Sequence, residues 1–336
     1  MLDYIKKNKN ISFEENPFNE VDMGILSQFI YLPYKSDTYV KEYLESIDLD
    51  KASDYKERCA FFTKDILKEL KTSTRYNDIF ISDALDILDF DKEKQLFACT
   101  YHLGDKHIVT FRGTDKYLMS WKEDLYLSFE NEMPSHKDAL DYVKKAIKNY
   151  KDIYLNGHSK GGNHALYAAF KLKSKHIKYV YLFDSPGFLD LKRVDNMTLF
   201  VPETSVFGMM MNKRSDMTCV KSTAPIFMSH LLNSWEVYGN HFKKGSLSGF
   251  SKNFHKTNEI WLNKTSRDDR EVITEGFFKS LKAEKDAKVT PKMMPSYIMH
   301  LFKGIIAIKN LDKSDKEFIT ENFNIFTESI KLGIKK

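Results

Sequence analysis

Short apolar runs and helix-spaced apolar positions alternate through the middle of this 336-residue chain, from about residue 81 to residue 262. Apolar runs at 95–103 and 107–111 flank Gly104-Asp105, which predicts a β-hairpin with a tight turn or two neighbouring strands. The later pattern predicts helices over 137–150 and through 165–172, and strands over 152–156, 178–183, 197–201 and 217–221. Strands and helices joined by short connections are typical of a mostly parallel sheet covered by helices, so we predict an α/β fold.

The two flanking stretches differ from this middle part. Residues 1–80 mix acidic and aromatic residues at helical spacing, and residues 263–336 are rich in Lys and Glu with few helix breakers. We therefore predict a mostly helical N-terminal segment (1–80) packed on an α/β core (81–262), followed by a helical C-terminal region (263–336). That region is basic and amphipathic, which is compatible with peripheral membrane contact, although a solvated face explains the same pattern.

Composition narrows the possible partners and the compartment. The net charge of +5, from 52 basic and 47 acidic residues, is too weak to argue for nucleic-acid binding. Cys59, Cys99 and Cys219 are scattered and odd in number, so neither a disulfide framework nor a zinc site is indicated. The basic N-terminus lacks a following apolar stretch, and no apolar run approaches about 18 residues. We expect a soluble cytoplasmic protein.

One pentapeptide carries recognisable chemistry. Gly157-His-Ser-Lys-Gly161 fits the Gly-x-Ser-x-Gly pattern of a nucleophile elbow, between a predicted strand and an Ala-rich predicted helix. Such a turn leaves the serine in a strained conformation with Oγ exposed, and the flanking glycines remove Cβ atoms that would clash. We interpret Ser159 as the nucleophile of an α/β-hydrolase fold; the alternative is a glycine-rich turn with an incidental serine.

Further motifs resemble known lipase-like proteins. The segment Ile108-Val-Thr-Phe-Arg-Gly-Thr114 followed by Trp121-Lys-Glu-Asp124 resembles the oxyanion loop of class 3 lipases. The run 157–163, with Lys rather than Leu after the serine, is more similar to the Mbeg-like family, a bacterial lipase-like group. Three other segments also resemble that family: Asn16-Pro-Phe-Asn-Glu-Val-Asp22, Phe183-Asp-Ser-Pro-Gly-Phe188 and Ser229-His-Leu-Leu-Asn-Ser-Trp235. The resemblance covers about residues 15–245.

This resemblance implies specific roles for the oxyanion loop. The backbone N–H groups of Thr114 and Lys160 would form the oxyanion hole, with the Thr114 hydroxyl as a third donor. We expect Arg112 and Asp124 to form a structural ion pair that shapes the loop.

A serine nucleophile needs a histidine base and a carboxylate that orients it, in the chain order Ser, acid, His in this fold. Among the histidines after Ser159, His230 follows the last predicted strand in a sequence that resembles the family's histidine, and His241 is the reserve. Two carboxylates compete for the acid. Glu203 follows the second strand after the elbow. Asp184 lies at the end of the preceding strand, where its alternative role is structural, as a cap of the turn before Pro186. The pattern leaves both open.

These motifs favour hydrolysis of a carboxylic ester, of a lipid or a small molecule, through an acyl-enzyme and without a metal or cofactor. A thioesterase or peptidase would use the same residues. A non-catalytic binding or scaffold protein on the same fold is the alternative from another class. The combination of oxyanion loop and elbow favours the enzyme, since a scaffold has little reason to keep both.

Overall fold

The computed structural model describes residues 1–32, 36–51, 63–191, 194–226, 228–289, 312–321 and 324. Among these residues, eight strands form the main sheet in sequential order and two more form a small hairpin. The main strands are Thr38–Tyr39 (β1), Phe80–Asp89 (β2), Lys94–Leu103 (β3), Lys106–Phe111 (β4), Asp152–His158 (β5), Ile177–Phe183 (β6), Met197–Pro202 (β7) and Met217–Val220 (β8). The small hairpin pairs Val237–Tyr238 (β9) with His241–Phe242 (β10).

Helices flank the main sheet. They are Leu2–Asn8 (α1), Glu20–Phe29 (α2), Val40–Ser46 (α3), Lys64–Lys71 (α4), Leu118–Tyr126 (α5), His136–Asn149 (α6), Lys160–Leu172 (α7), Gly249–Lys264 (α8) and Arg267–Ser280 (α9). Residues 313–321 are also helical. In the described ranges, no helix combines the length and the apolar character that crossing a membrane requires.

The sheet is antiparallel at one edge and parallel through its centre. Strands β1 to β4 pair antiparallel, and β4 to β8 pair parallel, with β5 between β4 and β6. This is the α/β-hydrolase fold. The predicted strands of the middle region are confirmed, including the hairpin at Gly104, whose φ of 55° lies in the left-handed region.

Strand β2 was not predicted, and a bulge within the strand explains why. A register shift between Ser82 and Leu85 interrupts its pairing with β3, and Asp83 adopts a φ of 56° there. The bulge breaks the two-residue alternation of inward and outward side chains on which a strand prediction depends.

The side chains of β5 divide between two cores. Ile153 and Leu155 point into a cluster with α6 and α7, whereas Tyr154 packs against the cluster on the opposite face. On that second face, Asn156 donates from its amide to the carbonyl oxygen of Met23 in α2 at 3.0 Å. The elbow that follows β5 is therefore held between helical layers on both faces.

The N-terminal helices are tied together by a buried ion pair. Arg75 Nη2 lies 2.8 Å from Asp22 Oδ2, and both side chains are fully buried. The Asp22 carboxylate also accepts from the hydroxyls of Tyr4 and Tyr76. Because each buried charge is paired and hydrogen-bonded, the cluster fixes the position of α2 beside the sheet.

The C-terminal region reaches the start of α5. The N–H of Leu118 donates to the carbonyl of Ala287 at 2.7 Å, and the N–H of Val289 donates to that of Lys116 at 2.7 Å. Residues 285–289 thus run beside the segment that joins β4 to α5. Residues 297–308, an apolar stretch too short to span a membrane, lie outside the described residues.

Candidate active site

Ser159 occupies a strained turn between β5 and α7. Its φ of 58° and ψ of −131° are unfavourable for a residue with a Cβ atom, and its N–H donates to the carbonyl of Phe183 at 2.9 Å. A Cβ on Gly157 would lie 2.3 Å from the carbonyl carbon of Gly161, and one on Gly161 would lie 2.1 Å from Phe111 O. The Gly-x-Ser-x-Gly spacing is therefore required by close backbone contacts.

Asp184 and His230 form a direct pair. Asp184 Oδ2 lies 2.6 Å from His230 Nδ1, with the Asp184 side chain 1% exposed and the His230 side chain 13% exposed. Because a carboxylate accepts and does not donate, Nδ1 carries the proton. This leaves Nε2 as the ring nitrogen able to accept a proton.

The other oxygen of Asp184 is held by the segment after β7. Oδ1 accepts from the Ser205 hydroxyl at 2.5 Å and from the N–H of Gly208 at 3.0 Å. A Cβ on Gly208 would lie 2.7 Å from Oδ1, so only glycine allows this approach. The carboxylate is thereby fixed in orientation.

A short 3₁₀ turn over Met228–His230 presents the histidine. Trp235 Nε1 donates to the carbonyl of Ser229 at 2.7 Å, and the Thr204 hydroxyl donates to Ser229 Oγ at 2.8 Å. The ring of Phe207 lies 4.2 Å, centroid to centroid, from that of His230. Packing and hydrogen bonds therefore restrain both the turn and the imidazole.

A second histidine joins this turn to the elbow. The rings of His158 and His230 lie 4.2 Å apart, and His158 Nε2 lies 2.9 Å from the backbone oxygen of His230. Burial lowers the pKa of His158 well below its usual range, so the ring is neutral. Since the His230 carbonyl only accepts, Nε2 carries the single ring proton and Nδ1 is an acceptor.

Tyr31 completes this network from the N-terminal region. Its hydroxyl lies 3.1 Å from His158 Nδ1 and accepts from the N–H of Gly113 at 2.9 Å. Because Nδ1 is an acceptor, the tyrosine donates to it. One hydroxyl thus links the loop after β4 to the elbow, and His158 links the elbow to the His230 turn.

The loop after β4 lies against the elbow. A Cβ on Gly113 would lie 2.8 Å from His158 O and 3.2 Å from Ser159 Cβ. The next residue, Thr114, donates its hydroxyl to Asp124 Oδ2 at 2.5 Å. That proton is directed at a carboxylate in this arrangement, so it is not available as a third oxyanion donor.

The expected pairing of Arg112 with Asp124 is wrong. Arg112 Nη2 lies 3.3 Å from Asp115 and 3.7 Å from Asp86, and its guanidinium stacks over Phe97. Asp124 instead holds Thr114 and faces Lys160 Nζ at 3.7 Å. The Arg112 guanidinium lies over the ring of Phe97 in β3, whereas Asp124 lies on α5.

The remaining candidates, Glu203 and His241, contact other residues. Glu203 Oε1 accepts from the N–H of Ser246 at 3.2 Å, which joins the end of β7 to the segment before α8. His241 is largely exposed and lies 3.3 Å from Glu20. Of the two carboxylates left open by the sequence, the structure brings Asp184 to His230.

Several residues of this arrangement were missed by the sequence analysis. Tyr31, Ser205 and Gly208 stand in no motif that marks a role. Tyr31 is 127 positions from its partner His158, so no local pattern could join them.

Comparison with known proteins gives a family for this chain. The family model described as Mbeg1-like matches residues 70–279. Among solved structures, the chain is similar to that titled "Crystal structure of Lip2 lipase from Yarrowia lipolytica", with 11% identity and a TM-score of 0.32 over 52% of this chain and 73% of that one. Comparison with curated proteins gives no match.

Proposed function

Because the chain belongs to the Mbeg1-like family and has the α/β-hydrolase fold, we propose that it is a serine acyl-hydrolase that cleaves carboxylic esters. Ser159 is the nucleophile, His230 the general base and Asp184 the orienting acid. The observation that carries this proposal is the 2.6 Å contact between Asp184 and His230, next to a serine with a φ of 58°.

In the first half of the reaction, Ser159 Oγ attacks the ester carbonyl carbon while Nε2 of His230 takes the hydroxyl proton. The C–O bond to the alcohol then breaks, and the alcohol oxygen leaves with the proton from His230. This leaves an acyl group on Ser159. The Asp184 carboxylate stabilises the imidazolium that forms between these two events.

In the second half, water attacks the acyl carbon and gives one proton to His230. The bond to Ser159 Oγ breaks, the carboxylic acid is released, and the proton returns to the serine. The backbone N–H groups of Thr114 and Lys160 donate to the oxyanion in both halves. The N–H groups at the start of α7 and the helix dipole favour the same charge.

A fluorophosphonate probe tests this proposal directly. We expect the purified protein to be labelled and the label to be lost in Ser159→Ala, with both proteins folded by circular dichroism. A panel of p-nitrophenyl esters of increasing acyl length then gives the substrate range, and a matching thioester panel tests the thioesterase alternative. A folded wild-type protein that takes no label would overturn the proposal in favour of a binding or scaffold role.

We also propose that the protein acts in the cytoplasm. The thiols of Cys99 and Cys219 are unpaired, and burial raises the pKa of each to about 12. Free thiols such as these, one buried and one half-buried, are expected in a reducing compartment, where disulfides are rare. Fractionation of the producing cells tests this, with recovery outside the cytoplasmic fraction as the contrary result.

A further inference from the structure

The side chain of Lys160, the residue after the proposed nucleophile, is buried at the base of the elbow. It is 1% exposed, and its Nζ lies 2.5 Å from Oε2 of Glu123, which is fully buried. A buried ammonium group is costly unless it is paired, so this contact defines where the side chain lies.

Glu123 is itself fixed by backbone groups from two elements. Its Oε2 also accepts from the N–H of Gln95 in β3 at 2.8 Å, and its Oε1 accepts from the N–H of Ser135 at the start of α6 at 2.9 Å. Both carboxylate oxygens are therefore occupied, and the lysine is paired with an anion that has little freedom to move.

The neighbouring carboxylate connects Lys160 to the opposite loop. Asp124 Oδ1 is buried, lies 3.7 Å from Lys160 Nζ and makes no hydrogen bond to any residue that the structure describes. Oδ2 accepts from the Thr114 hydroxyl at 2.5 Å. Burial raises the pKa of Asp124 to about 6, and the charge of Lys160 acts in the opposite direction. The lysine therefore favours the ionised carboxylate, which is the stronger acceptor for Thr114.

We propose that the side chain of Lys160 is a positioning residue, which acts through Asp124 and Thr114 to set the distance between the two oxyanion donors. The inference rests on the proposed function, in which the backbone N–H groups of Thr114 and Lys160 are those donors. The loop after β4 and the elbow after β5 are separate segments. The contacts of Asp124 with Lys160 and with Thr114 connect the elbow to this loop. The backbone N–H groups of the same two residues, Lys160 and Thr114, must point at one oxygen.

If Lys160 positions the oxyanion donors, its loss should weaken stabilisation of the transition state and leave binding of the ester substrate unchanged. Lys160→Met removes the charge at similar length, so we expect kcat for a p-nitrophenyl ester to fall about 10- to 100-fold with KM nearly unchanged. Lys160→Arg keeps the charge and should recover part of the loss. Lys122→Met is the matched control: this lysine on α5 pairs with Glu93 and Glu275, away from Thr114, and its loss should leave kcat unchanged.

A double-mutant cycle with Thr114→Val separates positioning from general support of the fold. Thr114→Val removes the hydroxyl and keeps the backbone donor. If Lys160 acts through Thr114, Lys160→Met will lower kcat much less in the Thr114→Val background than in wild type. Equal fold-losses in both backgrounds would overturn the proposal.

Asp124→Asn keeps the proposal testable if Lys160→Met does not fold. It retains an acceptor for Thr114 and the Lys160–Glu123 pair, but it removes the charge that Lys160 faces. We expect kcat to fall roughly 10-fold, and an unchanged kcat would overturn the proposal. A wild-type protein that takes no fluorophosphonate label would defeat the hydrolase proposal and this one together, whereas additive losses in a labelled, active protein would defeat this one alone.

Discussion

Asp184 at the end of β6 and His230, 46 positions later, lie 2.6 Å apart between Oδ2 and Nδ1. The second oxygen of Asp184 is held by Ser205 and Gly208, so the carboxylate has one orientation towards the imidazole. A histidine oriented in this way presents Nε2 for proton transfer.

The first prediction concerns this pair. Asp184→Asn should lower kcat for a p-nitrophenyl ester by about 10⁴-fold, because an amide does not hold the required tautomer of His230. Glu203→Gln, which keeps an oxygen acceptor for Ser246, should change kcat less than about 3-fold. Steady-state kinetics of both variants decide the matter, and the reverse order of effects would assign the acid to Glu203.

The second prediction concerns Tyr31. In Tyr31→Phe the buried N–H of Gly113 loses its acceptor, which should cost about 1–3 kcal/mol of the free energy of unfolding. The loop beside Ser159 should shift as well, so we expect kcat to fall roughly 10-fold. Urea denaturation and ester kinetics measure the two effects.

Tyr43→Phe is the control for that variant. The Tyr43 hydroxyl donates to the carbonyl of Phe29 at 2.9 Å, in the same N-terminal layer but away from Gly113. It should lose stability with kcat unchanged. If both tyrosine variants keep full activity, Tyr31 has no part in arranging the site.

The third prediction contrasts two glycines. Gly161→Ala would place a Cβ 2.1 Å from the carbonyl oxygen of Phe111, and we expect a loss of more than about 3 kcal/mol or failure to fold. Gly276→Ala, inside α9 with none of the described residues within 4 Å of the added Cβ, should instead stabilise the protein by about 0.5–1 kcal/mol. Thermal melts of the two variants measure whether stability falls in Gly161→Ala and rises in Gly276→Ala. A Gly161→Ala variant as stable as wild type would contradict the close packing of the elbow.

The fourth prediction concerns the pH dependence of stability. Burial, the largest cause, raises the pKa of Asp124 from 3.8 to about 6. Between these values the folded protein binds more protons than the unfolded chain at this residue, so the stability it contributes is present at pH 4 and is lost as pH rises through 6. The free energy of unfolding of wild type minus that of Asp124→Asn should therefore decrease from pH 4 to pH 7.

Urea denaturation of both proteins at each pH measures this difference, and other carboxylates cancel because they are common to both. A difference that stays constant or grows with pH would show that Asp124 ionises as readily in the folded protein as in the unfolded chain.

Features that depend on neighbouring residues could be predicted from the local sequence. The hairpin at Gly104 and the strained turn at Ser159 could be predicted because glycine is needed there for a positive φ or for close backbone contacts. Apolar periodicity predicted β3 to β8 and the helices α6 and α7. It did not predict α5 or α8, nor β2, where the bulge after Ser82 interrupts the alternation.

Contacts between side chains that are distant in the sequence depend on the three-dimensional path of the chain. Asp184 and Glu203 each follow a parallel strand of the same sheet, and their sequence contexts do not say which carboxylate faces His230. The path of the chain after β7 decides it, because that path brings Ser205 and Gly208 to Asp184 and turns Glu203 towards Ser246. The prediction of an Arg112–Asp124 pair was wrong for the same reason. Opposite charges predict attraction, but the packing of α5 against the elbow places Asp124 in contact with Thr114 and Lys160.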